Sequence, residues 1–110
     1  MDKEEELFEK IAVKLSKKYK LVKFGKMMSS PGLSYKKKFF VFYYKQEITL
    51  RLGKDFVPEN YGIKKWEYLN PFKNKRAMKN WFQLPYSEKK NWEKLTIYAM
   101  NNLVSELKSE

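Results

Sequence analysis

Two apolar stripes with helical spacing bracket a β-prone middle, and that bracket restricts the chain to folds that lay helices on a sheet. Leu7, Phe8, Ile11, Leu15 and Tyr19 recur at intervals of three and four, which places them on one face of a helix. Asp2, Glu4, Glu5 and Glu6 lead that helix and Lys17, Lys18 and Lys20 close it, the order a helix dipole favours. Trp92, Leu95, Thr96, Ala99, Met100, Leu103, Val104 and Leu107 form a second stripe. Ser87, just after Pro85, is its predicted N-cap, with Glu88 in the first turn. The stripes predict that Trp92, Leu95, Ala99 and Leu103 bury against the same sheet face as Leu7, Ile11 and Leu15.

The middle alternates. Residues 21–28 read as a strand, Ser29-Ser30-Pro31-Gly32 as a turn and residues 33–35 as a short strand. Phe39 to Tyr44 is a β-prone run, Lys45-Gln46 a turn, and Ile48, Leu50 and Leu52 alternate with Glu47, Thr49 and Arg51. Residues 76–84 predict another strand. Pro58, Gly62 and Pro71 break residues 53–72, around a short helix near residues 55–61. The expected fold is α+β and two-layered: an antiparallel sheet of four or five strands, with the N- and C-terminal helices packed on one face and the other face partly open. The 110 residues show no linker or repeat and fit one domain, 1–110. A two-residue and a three-residue hairpin loop would set opposite members of 39–44 beside Thr49 and Arg51, and either register leaves aromatic rings on the face of Arg51.

Charge then says where a partner would bind. The net charge is +11 and 17 % of residues are aromatic. Residues 21–86 carry a net +10, against +1 for residues 1–20 and zero for residues 87–110; a phosphate backbone or an acidic protein would meet the middle block. Within it, Lys36, Lys37 and Lys38 suit either a strand edge kept from aggregating or a polyanion contact. Lys73, Lys75, Arg76 and Lys79 lie beside Trp81, with Lys79 and Trp81 on one strand face, where an amine can neutralise a phosphate while a ring stacks on a base or simply packs in the core. Arg51 completes the candidate surface. Arg51 and Arg76 are the only arginines, so a lysine-dominated surface would bind nucleic acid with little base choice.

The chain has no histidine and no cysteine. That removes the usual base near neutral pH, the thiol nucleophile and most transition-metal sites. Asp55, Glu59 and Glu67 stand apart, the four glycines form no phosphate loop, and Ser29 and Ser30 have no histidine to activate them. No catalytic residue, cofactor or metal is expected. The acidic start is unlike a secretory signal, and no apolar run approaches the ~20 residues of a membrane span, so the expected setting is the cytoplasm, away from membranes.

The run Gly25-Lys26-Met27-Met28-Ser29-Ser30-Pro31-Gly32-Leu33, then Lys38-Phe39-Phe40-Val41-Phe42, then Ile48-Thr49-Leu50-Arg51-Leu52 resembles the TfoX N-terminal domain family. Arg76-Ala77-Met78-Lys79-Asn80-Trp81 is similar to that family's Arg-Pro-Met-x-x-Trp strand, and residues 92–104 to its closing helix. Met28 stands where the family usually has Phe, Ser29 where it has Gly and Ala77 where it has Pro. The resemblance implies an antiparallel α+β domain and a link to regulators of DNA-uptake competence, without catalytic residues to carry over. The expected function is a small non-enzymatic interaction or accessory regulatory module with a protein partner. The alternative is a weak, largely non-specific nucleic-acid binder using the basic block, and the third an uncharacterised enzyme or small-ligand carrier.

Overall fold

The structure is a computed structural model describing residues 2–27, 29–70 and 77–109. In chain order it contains α1 (Lys3–Lys18), β1 (Val22–Met27), β2 (Ser30–Tyr35), β3 (Lys38–Tyr44), β4 (Glu47–Arg51), a 3-10 turn (Pro58–Tyr61), β5 (Glu67–Leu69), β6 (Met78–Leu84), a second 3-10 turn (Tyr86–Asn91) and α2 (Trp92–Lys108). The strands form one antiparallel sheet in the order β1-β2-β3-β4-β6-β5. The α+β class and the antiparallel sheet follow the sequence reading; the strand count is six rather than four or five. β5, three residues long, is too short to display an alternation.

The predicted turn at 29–32 is mostly strand. β2 begins at Ser30, and Gly25 of β1 pairs with Gly32 of β2. Pro31 lies beyond Gly32–Phe42, the last pair between β2 and β3, so β3 loses no ladder bond to it. A Cβ on Gly25 would come within 2.9 Å of the Phe39 ring, and one on Gly32 within 2.6 Å of the Val41 carbonyl oxygen. The paired glycines leave the room that the Phe39 ring occupies.

The β3–β4 hairpin turns on two residues, Lys45 and Gln46, with φ of 51° and 65°, the left-handed pair that matches strand twist. This fixes the register: Phe42 pairs with Thr49 and Tyr44 with Glu47. A bulge interrupts β3, because Leu33 pairs with Val41 while Ser34 pairs with Phe39, leaving Phe40 as the extra residue. Phe40 and Val41 therefore both enter the helix-side core, while Phe39 and Phe42 pack on the opposite face.

Phe8, Ile11, Ala12 and Leu15 of α1 and Trp92, Leu95, Ala99 and Leu103 of α2 are buried in one cluster with Val22, Leu33, Val41, Ile48, Leu50 and Phe82 of the sheet, and Leu7 packs partly buried against it. Both helices cover one face, as the stripes predict. Ser87 does not cap α2. A 3-10 turn occupies 86–91, and Asn91 precedes α2 without a side-chain cap bond. The buried Glu88 carboxylate instead accepts the backbone N–H groups of Lys64 and Lys65 at 3.0 Å each, and the Trp92 indole N–H donates to the Pro85 carbonyl. Among the described residues no helix is long and apolar enough to cross a membrane.

Candidate interaction surface

Strand direction decides which charges share an end of the sheet. The Val22 N–H donates to the Tyr19 carbonyl, so the carboxyl end of α1 abuts the start of β1. Val22 pairs with Tyr35, so the β2–β3 turn lies at the same end. Lys17 and Lys18 from the last turn of α1, Lys20 and Lys23 at the start of β1, and Lys36, Lys37 and Lys38 at the β2–β3 turn thus converge, all exposed. The carbonyls at the end of α1 favour cations there. Lys36 and Lys37 hold φ of 50° and 71°, and the Lys36 and Lys18 ammonium groups sit 5.8 Å and 5.5 Å from the Tyr35 and Tyr19 ring centres.

Residues 10–46 hold eleven lysines and no acidic residue, a local excess as large as the net charge of the whole chain. Several acids lie at the other end, whereas Asp55 and Glu106 stand by Arg51 at the end of β4. Asp2 accepts a hydrogen bond from Gln46 in the β3–β4 turn at 3.0 Å, which brings the acidic start of α1 there, and Glu47, Glu67 and Glu88 belong to the same end by strand direction. The Glu47 carboxyl is raised above its ordinary value by burial, and then by the neighbouring Glu67 charge. Lys45, Lys64 and Lys65 share that end, so its charge is mixed.

The remaining candidate residues divide. Arg51 pairs with Trp81 across the sheet, and its guanidinium donates to Glu106 of α2 at 2.7 Å. It lines a polar recess of about 440 Å³ with Lys54, Asp55, Asn80, Tyr98 and Asn102. Its charge is balanced within the molecule. Lys79 is exposed at the start of β6, on the basic end. Trp81 is 7 % exposed, with its ring centre 5.2 Å from that of Phe42, and so packs as core rather than standing ready to stack on a base. Lys73, Lys75 and Arg76 lie outside the described residues.

The second face is also less open than expected. Phe42, Thr49, Leu69, Trp81 and Gln83 are all buried there; the Phe42 and Trp81 rings pack together across β4, and Phe39 fills the space over the glycines. No platform of free aromatic rings remains among them. What sequence reasoning missed is α1: Lys17, Lys18 and Lys20 join the lysines of the β2–β3 turn, and the signal was the acid-free run 10–46. Compared with protein-family models, curated proteins and solved structures, the chain matches none.

Proposed function

We propose that this protein is a small non-enzymatic interaction module, of the accessory regulatory kind its TfoX-like motifs imply, and that it engages an acidic protein partner through the basic end of the sheet. One observation carries the reading: seven exposed lysines from α1, β1 and the β2–β3 turn meet at one end, contributed by a stretch that contains no acid. Lysines spread for solubility alone would need no such segregation, whereas a one-signed surface steers and holds an oppositely charged partner. The position of Lys79 on the same end, two strands beyond β3, favours a second reading in which a nucleic-acid backbone spans that end; the burial of Trp81 leaves that reading with phosphate contacts rather than stacking.

The test is fluorescence anisotropy with labelled poly-glutamate, a labelled duplex and a labelled single strand, at low and near-physiological salt. Poly-glutamate is expected to bind at low salt, and the combined Lys20→Ser, Lys23→Ser, Lys36→Asn and Lys37→Asn variant to lose most of that binding. Asn keeps the left-handed turn at 36 and 37. If the oligonucleotides bind instead, that variant should reduce the magnitude of their salt slope by about two to four, since each lost phosphate contact removes about one. Absence of binding by all three probes at low salt would make the lysines a solubility device and overturn both readings.

A further inference from the structure

The two free edges of the sheet differ. β5 has three residues and its pairing with β6 shifts register between Tyr68 and Leu69, so it offers little regular backbone. β1 pairs with β2 over six consecutive positions without a bulge, and among the described residues no strand lies along its outer side. Every second residue of β1 therefore presents an unpaired N–H and C=O outward, in a regular row.

The side chains on that edge are incomplete in a specific way. Phe24 shares the helix-side face with Leu33, its partner across the ladder, yet Leu33 is 0 % exposed and Phe24 is 51 % exposed. The helices cover the inner strand and, on the outer one, Val22, but leave Phe24 bare. Leu21, just before β1, is 48 % exposed. Lys23 points to the opposite face, Lys26 follows on the face of Phe24, and Lys17, Lys18 and Lys20 stand at the strand's start. Such a basic edge repels a second copy of itself, since like charges directly opposite one another destabilise a strand pair. It complements an acidic one.

We propose, resting on the interaction-module reading above, that the outer edge of β1 takes up an extended acidic segment of a partner protein as an added strand, with an apolar side chain beside Phe24 and a carboxylate on the opposite face beside Lys23. Backbone hydrogen bonds supply the attachment, and the alternation Val22-Lys23-Phe24 supplies the selection: apolar on the helix-side face, acidic on the other. Burying Phe24 and Leu21 under the added strand extends the existing core outward by one strand.

The experiment uses the full chain and three labelled probes: an octapeptide alternating glutamate and valine, the same octapeptide with its two inner valines replaced by proline, and a single-stranded oligonucleotide. The proline peptide keeps the charge but lacks two N–H donors and cannot form a regular ladder. Anisotropy should show the alternating peptide binding about tenfold or more tightly than the proline peptide, the difference expected from one or two lost ladder bonds. Amide hydrogen exchange should slow along β1 when that peptide is present and stay unchanged along β5. Phe24→Thr, a strand-compatible change at an exposed position, should weaken the alternating peptide several-fold; Lys23→Glu should do the same through charge, so a folding defect in one variant is caught by the other. Equal binding of the two peptides, or unchanged exchange in β1, would overturn the edge proposal while leaving a charge-driven basic end intact. Binding of the oligonucleotide alone would also overturn it. Failure of every probe to bind would remove the reading on which it rests.

Discussion

The two faces of this sheet are buried by different means. On the helix side, long side chains from two amphipathic helices fill the space over the central strands, and Leu95, Ala99 and Leu103 are at most 1 % exposed. On the other face no helix lies among the described residues, and the sheet's own side chains pack on one another: Phe42 against Trp81, and Phe39 across the Gly25–Gly32 pair. The first arrangement tolerates imperfect shape because many contacts share the load. The second uses a few rings and two glycines where an added Cβ would be crowded.

That contrast can be broken at five sites. Leu95→Ala should have the largest effect, about 2–5 kcal/mol in urea denaturation, as for other buried large-to-small changes. A loss of a few tenths would mean that the helix face does not carry the fold. Gly32→Ala should cost about 1–3 kcal/mol, because its Cβ would meet the Val41 carbonyl oxygen at 2.6 Å and the Phe42 Cβ at 2.8 Å, neither of which can swing away. Gly25→Ala meets only the tip of the Phe39 ring, at 2.9 Å, and should cost less. The reverse order would show that the ring and not the backbone is the rigid element.

Tyr43 tests the helix face from the polar side. Its ring lies 5.7 Å from that of Phe8 and its hydroxyl is buried without a hydrogen-bond partner. Burial, and then the acids Asp2, Glu4 and Glu5, push its ionisation up. Tyr43→Phe should therefore raise stability by roughly 1 kcal/mol, read from the denaturation midpoint; a comparable loss would reveal a partner for the hydroxyl in solution.

The smallest effect belongs to Glu47 at the polar margin of the second face, where Gln83 donates to its Oε1 at 3.3 Å. Its pKa is raised from 4.5 by burial and by Glu67. A carboxyl raised in the folded state binds its proton more tightly there than in the unfolded chain, so the contribution of Glu47 to stability is greatest below 4.5 and falls as pH rises from that value through the raised one. Glu47→Gln should flatten this part of the pH–stability profile and gain a few tenths of a kcal/mol near neutral pH. An unchanged profile would remove Glu47 from the account.

What could be read from the sequence follows from how local each cause is. Helical periodicity is a property of consecutive residues, so both helices and the face they share were legible. The hairpin at Lys45-Gln46 was legible in position but not in register, because nothing in those two residues announces left-handed backbone the way Asn-Gly would. The Phe40 bulge was invisible: it reverses the alternation inside a run of six aromatic and β-branched residues, where every position suits either face. The candidate surface was half legible. The lysines at 36–38 could be named, but their meeting with Lys17, Lys18 and Lys20 depends on α1 returning its carboxyl end to the start of β1. Arg51 belongs to the candidate surface and Trp81 suits either stacking or core, and the partners that decide between these, Glu106 and Phe42, come from positions far along the chain.

The segregation of charge along the strands has a consequence for how the molecule moves before it touches anything. A body of 36 × 34 × 28 Å with lysines crowded at one end feels a torque in the field of a charged object and turns that end forward. At about 0.1 M ionic strength the field survives only ~10 Å, so the turning happens in the last step of approach; at about 0.01 M it reaches ~30 Å, nearly the length of the molecule. Dilution would then do more than strengthen attraction. It would raise the fraction of collisions that arrive in a productive orientation, and the association rate would climb with falling salt more steeply than the dissociation rate declines.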